Sequence, residues 1–465
     1  IYLNKSQLSI MITKQLLLYL RSMNLNKRNI TNLYIKHISE IKKRYNTALE
    51  NAKFENLIIF SGKPLPVFLD DVDYPFKVNP YFTNWLPLRN SPCCYLIYSP
   101  NIKPILIFFQ AKDFWHKTSE KPEEFLNDLF DIRIIDDFSD IKNNLPNINK
   151  DRTAIIGDFR EQNLNLDIKN INPKKLINFL DYQRKIKTQY EIECIKIASE
   201  IAFKGHKIAE SSFKQKKSEF EIHLDYCKAT KQIENELPYG NIIALNEHAA
   251  ILHYQDQSPI VPNESKSLLI DAGAKYNGLA CDITRTYSAT EGEFSDLVQE
   301  FEKLQLELIS YIGPEINFID LHMQCHYKIA QLLNKVGLAK GTPEALINTE
   351  VTSTFFPHGL GHFLGLQVHD VGGFLKDSQG SKILPPKNHP FLRLTQSLEI
   401  NQVLTIEPGI YVIDMLIEKL RNKPGFKLLN QKKIQWLKPY GGIRIEDNIR
   451  ILKDGVENLT RDAFS

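Results

Sequence analysis

The sequence predicts an α/β first domain followed by an α+β second domain. Three observations lead there. Short apolar runs separated by polar and helical pieces fill residues 29–175, the pattern of strands alternating with helices. Helical patterns dominate Gln183 to Gln215 and Phe294 to Val336. A strand-rich end, dense in histidine and glycine, follows them. At 465 residues the chain can bury two or three cores. A composition 43% hydrophobic and 24% charged is that of a globular protein. A net charge of +3 gives no reason to expect nucleic acid or a membrane surface as a partner.

Residues 1–28 read as an extension, disordered or artefactual. Its apolar run, Leu16-Leu17-Leu18-Tyr19-Leu20, is interrupted by Arg21, whereas a signal peptide needs a longer apolar region and a cleavage site. The first domain is expected over 29–175. A basic, helix-like stretch from Asn29 to Asn56 leads into a buried strand, Leu57-Ile58-Ile59-Phe60, stopped by Ser61-Gly62. Further strands are expected at Cys94 to Tyr98, Ile105 to Phe109, Ile132 to Ile135 and Thr153 to Ile156. Asn170 to Lys175, with Asn172-Pro173, reads as the exit from this domain, and 176–465 as the second. Ile192, Ile195, Ile197, Ala198, Ile201 and Ala202 give the first long helix an apolar face. The six cysteines form no CxxC pair, which suits a reducing cytoplasm, and no run of 18 apolar residues predicts a membrane-spanning helix.

The chemistry-bearing residues all lie after Tyr239. Asp271 to Asp282 reads as a hairpin turning at Asn277-Gly278, where both turn positions need φ > 0. A two-residue turn there sets Tyr276 opposite Leu279 and Asp282 opposite Gly273. Asp271 and Asp282 become diagonal neighbours on one face, about 7–8 Å apart at the backbone. The apolar flank Leu268-Leu269-Ile270 suggests burial, which is costly for two like charges unless a cation joins them. Taken alone, the hairpin reads better as two solvated aspartates near a turn.

Three further segments change that balance. His358-Gly359-Leu360-Gly361-His362 with Val368-His369-Asp370 places three histidines within twelve residues. Val403 to Ile406 is an apolar strand that ends in Glu407, just before a turn at Pro408-Gly409. In Gly441 to Asn448, alternation puts Arg444 and Glu446 on one face and Ile443 and Ile445 on the other. Four carboxylates with one to three imidazoles form an oxygen-rich donor set, suited to Mn²⁺, Fe²⁺, Co²⁺ or Zn²⁺. One ion would leave excess negative charge. Two ions about 3.5–4 Å apart would balance it, and such a pair can hold a bridging water and polarise a carbonyl.

At these four segments the chain resembles the pita-bread metallopeptidases, which include methionine aminopeptidase, aminopeptidase P, prolidase and creatinase. The resemblance is closest to the bacterial Xaa-Pro dipeptidases, or prolidases, and the related organophosphorus acid anhydrolases. Asn246 to Tyr254, His358 to Gly373, Lys438 to Asn448, Val67 to Asp71 and Tyr74 to Pro80 carry it.

The resemblance implies a creatinase-like mixed sheet in the first domain and a pita-bread catalytic domain after it. It implies two divalent ions per subunit, Mn²⁺ first, with Co²⁺, Fe²⁺ or Zn²⁺ as alternatives. Asp271 would hold one ion, Asp282 and Glu446 would bridge both, and His362 and Glu407 would complete the other. His369 and His253 would bind or shuttle protons at the scissile amide. His358 would line the pocket and Arg444 would steady the site. Arg393 would be a buried partner for the free carboxylate of the substrate's proline. Tyr239, Leu252 and Val368 match pocket-lining positions. Asp71 matches a residue that reaches the partner subunit's site in a homodimer. The implied substrate is a small dipeptide ending in proline, with side activity on organophosphorus esters. Aminopeptidase P-type cleavage of longer peptides and a non-catalytic binding module are the alternatives.

Overall fold

The computed structural model describes residues 5–115, 117–158 and 168–465, with side chains from residue 29 onward. A long helix, α1 (Lys5–Ala52), leads in. The expected extension, 1–28, falls partly on its backbone and partly, at 1–4, outside the described residues.

Six strands follow: β1 (Asn56–Phe60), β2 (Tyr95–Tyr98), β3 (Ile105–Phe109), β4 (Asp131–Ile135), β5 (Thr153–Ile156) and β6 (Asn170–Ile171). They form one mixed sheet in the order β4-β3-β2-β1-β5-β6, with β1–β2 and β2–β3 antiparallel and the other pairs parallel. β1, β2 and β5 are buried at every residue. That explains why they read as unbroken apolar runs rather than alternating ones. Asn170-Ile171, expected as part of the domain exit, is instead an edge strand. Two residues between Lys169 and Asn172 carry no periodicity to reveal it.

Helices α2 (Lys174–Arg184), α3 (Gln189–Lys214) and α4 (Glu219–Thr230) come next. α3 and α4 each begin with a capping box, Thr188 with Glu191 and Ser218 with Glu221, which satisfies two of the amide donors at each helix start. The remaining strands are short and strongly connected. β7 (Ile242–Leu245), β8 (Ser267–Asp271) and β11 (Thr284–Ser288) form one sheet, β8 at its centre, and the hairpin β9 (Lys275–Tyr276) and β10 (Leu279–Ala280) extends from it. Helices α5 (Glu293–Ser310) and α6 (Phe318–Lys335) follow. The chain then returns through β12 (Val403–Ile406), β13 (Gly409–Tyr411), β14 (Gly442–Arg444), β15 (Asp447–Ile451) and β16 (Val456–Asn458). Single bridges stitch the pieces together: Thr284 pairs with Glu446, and Phe363 with Leu404.

Apolar packing holds this wall from both sides. Phe301, Leu308, Phe318 and Ile329 of α5 and α6 pack with Leu404, Ile406, Ile443 and Ile445. Each such fully buried side chain contributes about 1.5–3 kcal/mol. Ala198 and Ala202 of α3 pack with Ala274, Cys281 and Ile283, and small residues let the helix lie close to the hairpin. The polar faces of these strands are thereby turned toward one another.

Candidate metal centre

The hairpin folds as its turn residues require. Asn277 and Gly278 have φ of +48° and +83°, and Tyr276 pairs with Leu279. The register carries through: Cys281 N donates to Ala274 O at 3.0 Å, Ala272 N to Ile283 O at 3.0 Å, and Asp271 pairs with Thr284. Asp282 therefore faces Gly273, diagonal to Asp271. The two carboxylates are not solvated. Asp282 is buried and Asp271 partly so, and the Tyr239 hydroxyl lies between Oδ1 of both, 2.8 Å from Asp271. A phenol has one proton to donate, so it neutralises neither fully.

The other segments converge on this pair. Gly361 lets the histidine segment lie against β12, since a Cβ there would sit 2.0 Å from Thr405 O. His362 N donates to Thr405 Oγ1 at 3.2 Å. The ring Nδ1 of His362 is 2.9 Å from Phe363 O and donates to it, so Nε2 is the nitrogen that faces Asp282 Oδ2 at 3.5 Å and Glu407 Oε1 at 3.7 Å. Burial disfavours the charged ring, but those two carboxylates outweigh it and raise the pKa of the ring. Glu407 lies in a break between β12 and β13. The expected turn at Pro408-Gly409 is absent, because the chain resumes as a strand on a second ladder. Proline, which lacks an N–H, suits that break.

Glu446 completes the set. Its Oε2 accepts from Thr284 Oγ1 at 2.7 Å, while its buried Oε1 has no hydrogen-bond partner among the described residues. Arg444 lies on the same face as expected. Its Nε donates to Thr284 Oγ1 at 3.2 Å, Nη2 to Asp271 Oδ2 at 2.8 Å and Nη1 to the Tyr411 hydroxyl at 2.9 Å. That hydroxyl in turn lies 2.8 Å from His358 Nε2, and His358 Nδ1 lies 2.9 Å from Gly359 O. The arginine can only donate, so the tyrosine proton goes to Nε2 and the His358 proton stays on Nδ1.

Charge in this cluster is unbalanced. Burial, then the Asp282 charge, pushes Asp271 up to about 6. Burial pushes Glu407 up to about 7, and burial with three neighbouring carboxylates drives Glu446 well above the usual range. Burial also opposes ionisation of Asp282, but His362 and Tyr239 outweigh it and hold that group low. Four carboxylates thus share one arginine and one imidazole, which is the environment a multivalent cation relieves. Ligand atoms of Asp282, His362 and Glu446 lie within 4.8 Å of one another. Glu407 adjoins them through His362. Asp271 adjoins them through Tyr239.

The remaining expected residues are distributed around this core. His369 stacks edge-on against His362, ring centroids 4.4 Å apart. Desolvation of its ring and the positive charges of His362 and Arg393 lower its pKa. His253 is exposed and within electrostatic reach of His358 and His369. Leu252 and Val368 are partly buried at the edges of two apolar clusters. Arg393, expected to be buried, is exposed. Its neighbours Leu392 and Leu394 fill the core, which turns the intervening side chain outward. Asp71 stands apart from the cluster, on an exposed hairpin whose strands pair through Pro66 and Asp73. Thr284, Tyr411 and the supports of Asp370 were not anticipated. Asp370 is buried between Arg184 Nη2 at 2.5 Å and Lys187 Nζ at 2.8 Å, and so anchors the His369 segment to the end of α2.

Comparison with known proteins identifies the family. Residues 32–182 match the Xaa-Pro dipeptidase N-terminal domain, and residues 193–453 match metallopeptidase family M24. An Xaa-Pro dipeptidase of Pseudoalteromonas haloplanktis is 46% identical over 433 residues, covering 93% of this chain and 98% of the relative.

The chain belongs to the Xaa-Pro dipeptidase family of M24 metallopeptidases.

Another Xaa-Pro dipeptidase, from Shewanella woodyi, is 45% identical over 93% of this chain and 99% of its own. Among solved structures, a zinc-substituted E. coli aminopeptidase P in complex with product superposes with a TM-score of 0.66 at 22% identity, over 92% of this chain and 95% of that one. The proline aminopeptidase P II of Yersinia pestis gives the same TM-score at 23% identity, over 92% and 96%. At that identity the likeness concerns the fold, a mixed-sheet domain followed by a pita-bread domain.

Proposed function

We propose that this chain hydrolyses Xaa-Pro dipeptides with two divalent ions held by Asp271, Asp282, His362, Glu407 and Glu446. The observation that carries this reading is the convergence of ligand atoms of Asp282, His362 and Glu446 within 4.8 Å of one another, with Glu407 beside His362 and Glu446 Oε1 buried and unpartnered among the described residues. These donors fit hard to borderline divalent ions, Mn²⁺ foremost, better than a thiolate-seeking metal. Bound there, such ions supply Lewis-acid polarisation of the scissile carbonyl and a lowered pKa for water.

The chain's own residues do the rest. Arg444 holds Asp271 in place and, through Tyr411, fixes the tautomer of His358. His369 stays neutral at pH 7 beside the cluster, so it can accept and return a proton at the scissile nitrogen, with the exposed His253 within electrostatic reach of it. Tyr239, Leu252 and Val368 bound the substrate space. Arg393, exposed beside His369, is free to meet the terminal carboxylate of a dipeptide, and a bidentate pair of that kind selects by charge and length.

We also read the hairpin carrying Asp71 as the arm of a homodimer. Phe68 and Leu69 at its tip are 84% and 91% exposed, beside Tyr74 at 56%. Exposed apolar side chains in such a group mark a contact surface. Light scattering of the full chain should give a dimer that Phe68→Asp dissociates, and a wild-type monomer excludes the arm. Six unpaired cysteines suit a reducing cytoplasm.

The catalytic reading is tested by turnover of Ala-Pro against Ala-Pro-Ala. Faster cleavage of the dipeptide is expected. Faster cleavage of the tripeptide would assign aminopeptidase P-type specificity instead.

A further inference from the structure

Three histidines outside the site converge on one point. His322 and His326 stand one turn apart on α6 and share a face of that helix. His389 arrives from the turn that starts at Pro386, where His389 N donates to Pro386 O at 2.8 Å. Its ring centroid lies 4.7 Å from that of His322 and 4.5 Å from that of His326. One ring nitrogen from each of the three lies within 4.8 Å of the other two. Nε2 of His322 and Nε2 of His326 are 3.2 Å apart. His322 is 1% exposed, and its Nδ1 has no hydrogen-bond partner among the described residues. His389 is only half-buried and opens the group toward solvent. Phe356 stands between this group and His358, its ring 5.1 Å from His326 and 4.8 Å from His358.

We propose that His322, His326 and His389 form a second metal site, for a late first-row divalent ion of the zinc class. Three imidazoles without a carboxylate prefer Zn²⁺, Ni²⁺ or Cu²⁺ to Mn²⁺, so the donor chemistry separates this site from the oxygen-rich one. A partner that orients one ring is already present. His326 Nδ1 is 3.0 Å from Thr352 Oγ1, and donation there leaves the Nε2 lone pair directed at His322. Burial lowers the pKa of all three rings, and the neighbouring imidazoles add to the shift at His322 and His326, which favours the neutral, ligating form. Three protein ligands leave one position open for water. The consequence is a tie between α6 and the segment that leads from His389 directly to Arg393, so occupancy would hold the loop bearing the proposed carboxylate clamp.

The competing account is a packed group of imidazoles joined by one hydrogen bond, His322 Nε2–H to His326 Nε2. Equilibrium dialysis against Zn²⁺, with bound metal counted in the full chain, separates the two. His389→Ala removes a half-exposed ligand without opening the core, and far-UV circular dichroism checks that it folds. Wild type should bind one zinc more per chain than His389→Ala, and Zn²⁺ should raise the Tm of wild type more than that of the variant. Thr352→Ala should weaken the extra zinc by about ten- to a hundredfold while keeping the stoichiometry. Equal zinc content and equal Tm shifts in wild type and His389→Ala would overturn the site.

Discussion

At the scale of single residues, the cluster shows how one position can be read correctly in kind and wrongly in setting. Arg393 was expected as a buried clamp. The structure turns it outward between the buried Leu392 and Leu394. An exposed arginine pays less desolvation than a buried one and still pairs with a carboxylate that brings its own charge. Arg393→Ala should raise KM for Ala-Pro by about tenfold or more, the loss of one charged hydrogen-bonded contact of roughly 1.5–3 kcal/mol. It should also narrow the gap between Ala-Pro and its carboxamide. Steady-state kinetics on both substrates measure this, and an unchanged acid-to-amide ratio would remove Arg393 from substrate recognition. Tyr239 shows the reverse case. It was expected only to line the pocket, yet its hydroxyl lies between both hairpin aspartates.

At the scale of elements, much of the fold was legible, for physical reasons that differ by element. Strands β1, β2, β3 and β5 are fully or largely buried, so burial wrote itself into apolar runs that locate them to within a residue, whereas β4, buried only at Ile135, shows through its isoleucines alone. The hairpin register followed from Asn277-Gly278, because only a few residue types accept φ > 0 at both turn positions. β6 left no trace because two residues cannot show a period. The second histidine group was only half visible. His322 and His326 at helical spacing were within reach of inspection, but His389 joins them only through the fold. The Asp370 anchor was invisible for the same reason, since Arg184 and Lys187 are 186 and 183 positions away in sequence.

That anchor makes a prediction of its own. Burial opposes the charge of Asp370, but Arg184 and Lys187 outweigh it and hold the carboxyl below its usual range. Asp370→Asn leaves two buried cations short of a counter-charge and should cost about 3–5 kcal/mol in urea unfolding at pH 7. A carboxylate with a depressed folded pKa stabilises above its unfolded value, near 3.9, and loses that contribution as pH falls through the folded value. The gap between wild type and Asp370→Asn should therefore be full at neutral pH and shrink below about pH 4. A gap that persists unchanged in acid would show that the loss is one of packing and not of charge.

At the scale of the whole molecule, the fold brings four segments separated by up to 175 residues onto one cluster, Asp271 at one end of the sequence span and Glu446 at the other. Helix α3 on one side and α5 with α6 on the other bury the apolar faces of the strands, and their polar residues meet at the cluster. A buried assembly of this charge is stable in the folded chain only with compensation, and the side chains supply one arginine and one imidazole against four carboxylates. The account therefore stands on divalent ions at this cluster. Metal analysis of the full chain after dialysis against Mn²⁺ tests it most directly, with Asp282→Asn alongside. About two manganese ions per wild-type chain, and loss of both bound manganese and Ala-Pro hydrolysis in the variant, is the predicted result. A variant that keeps its manganese and its turnover, or a wild type that hydrolyses Ala-Pro with no metal bound, would contradict it.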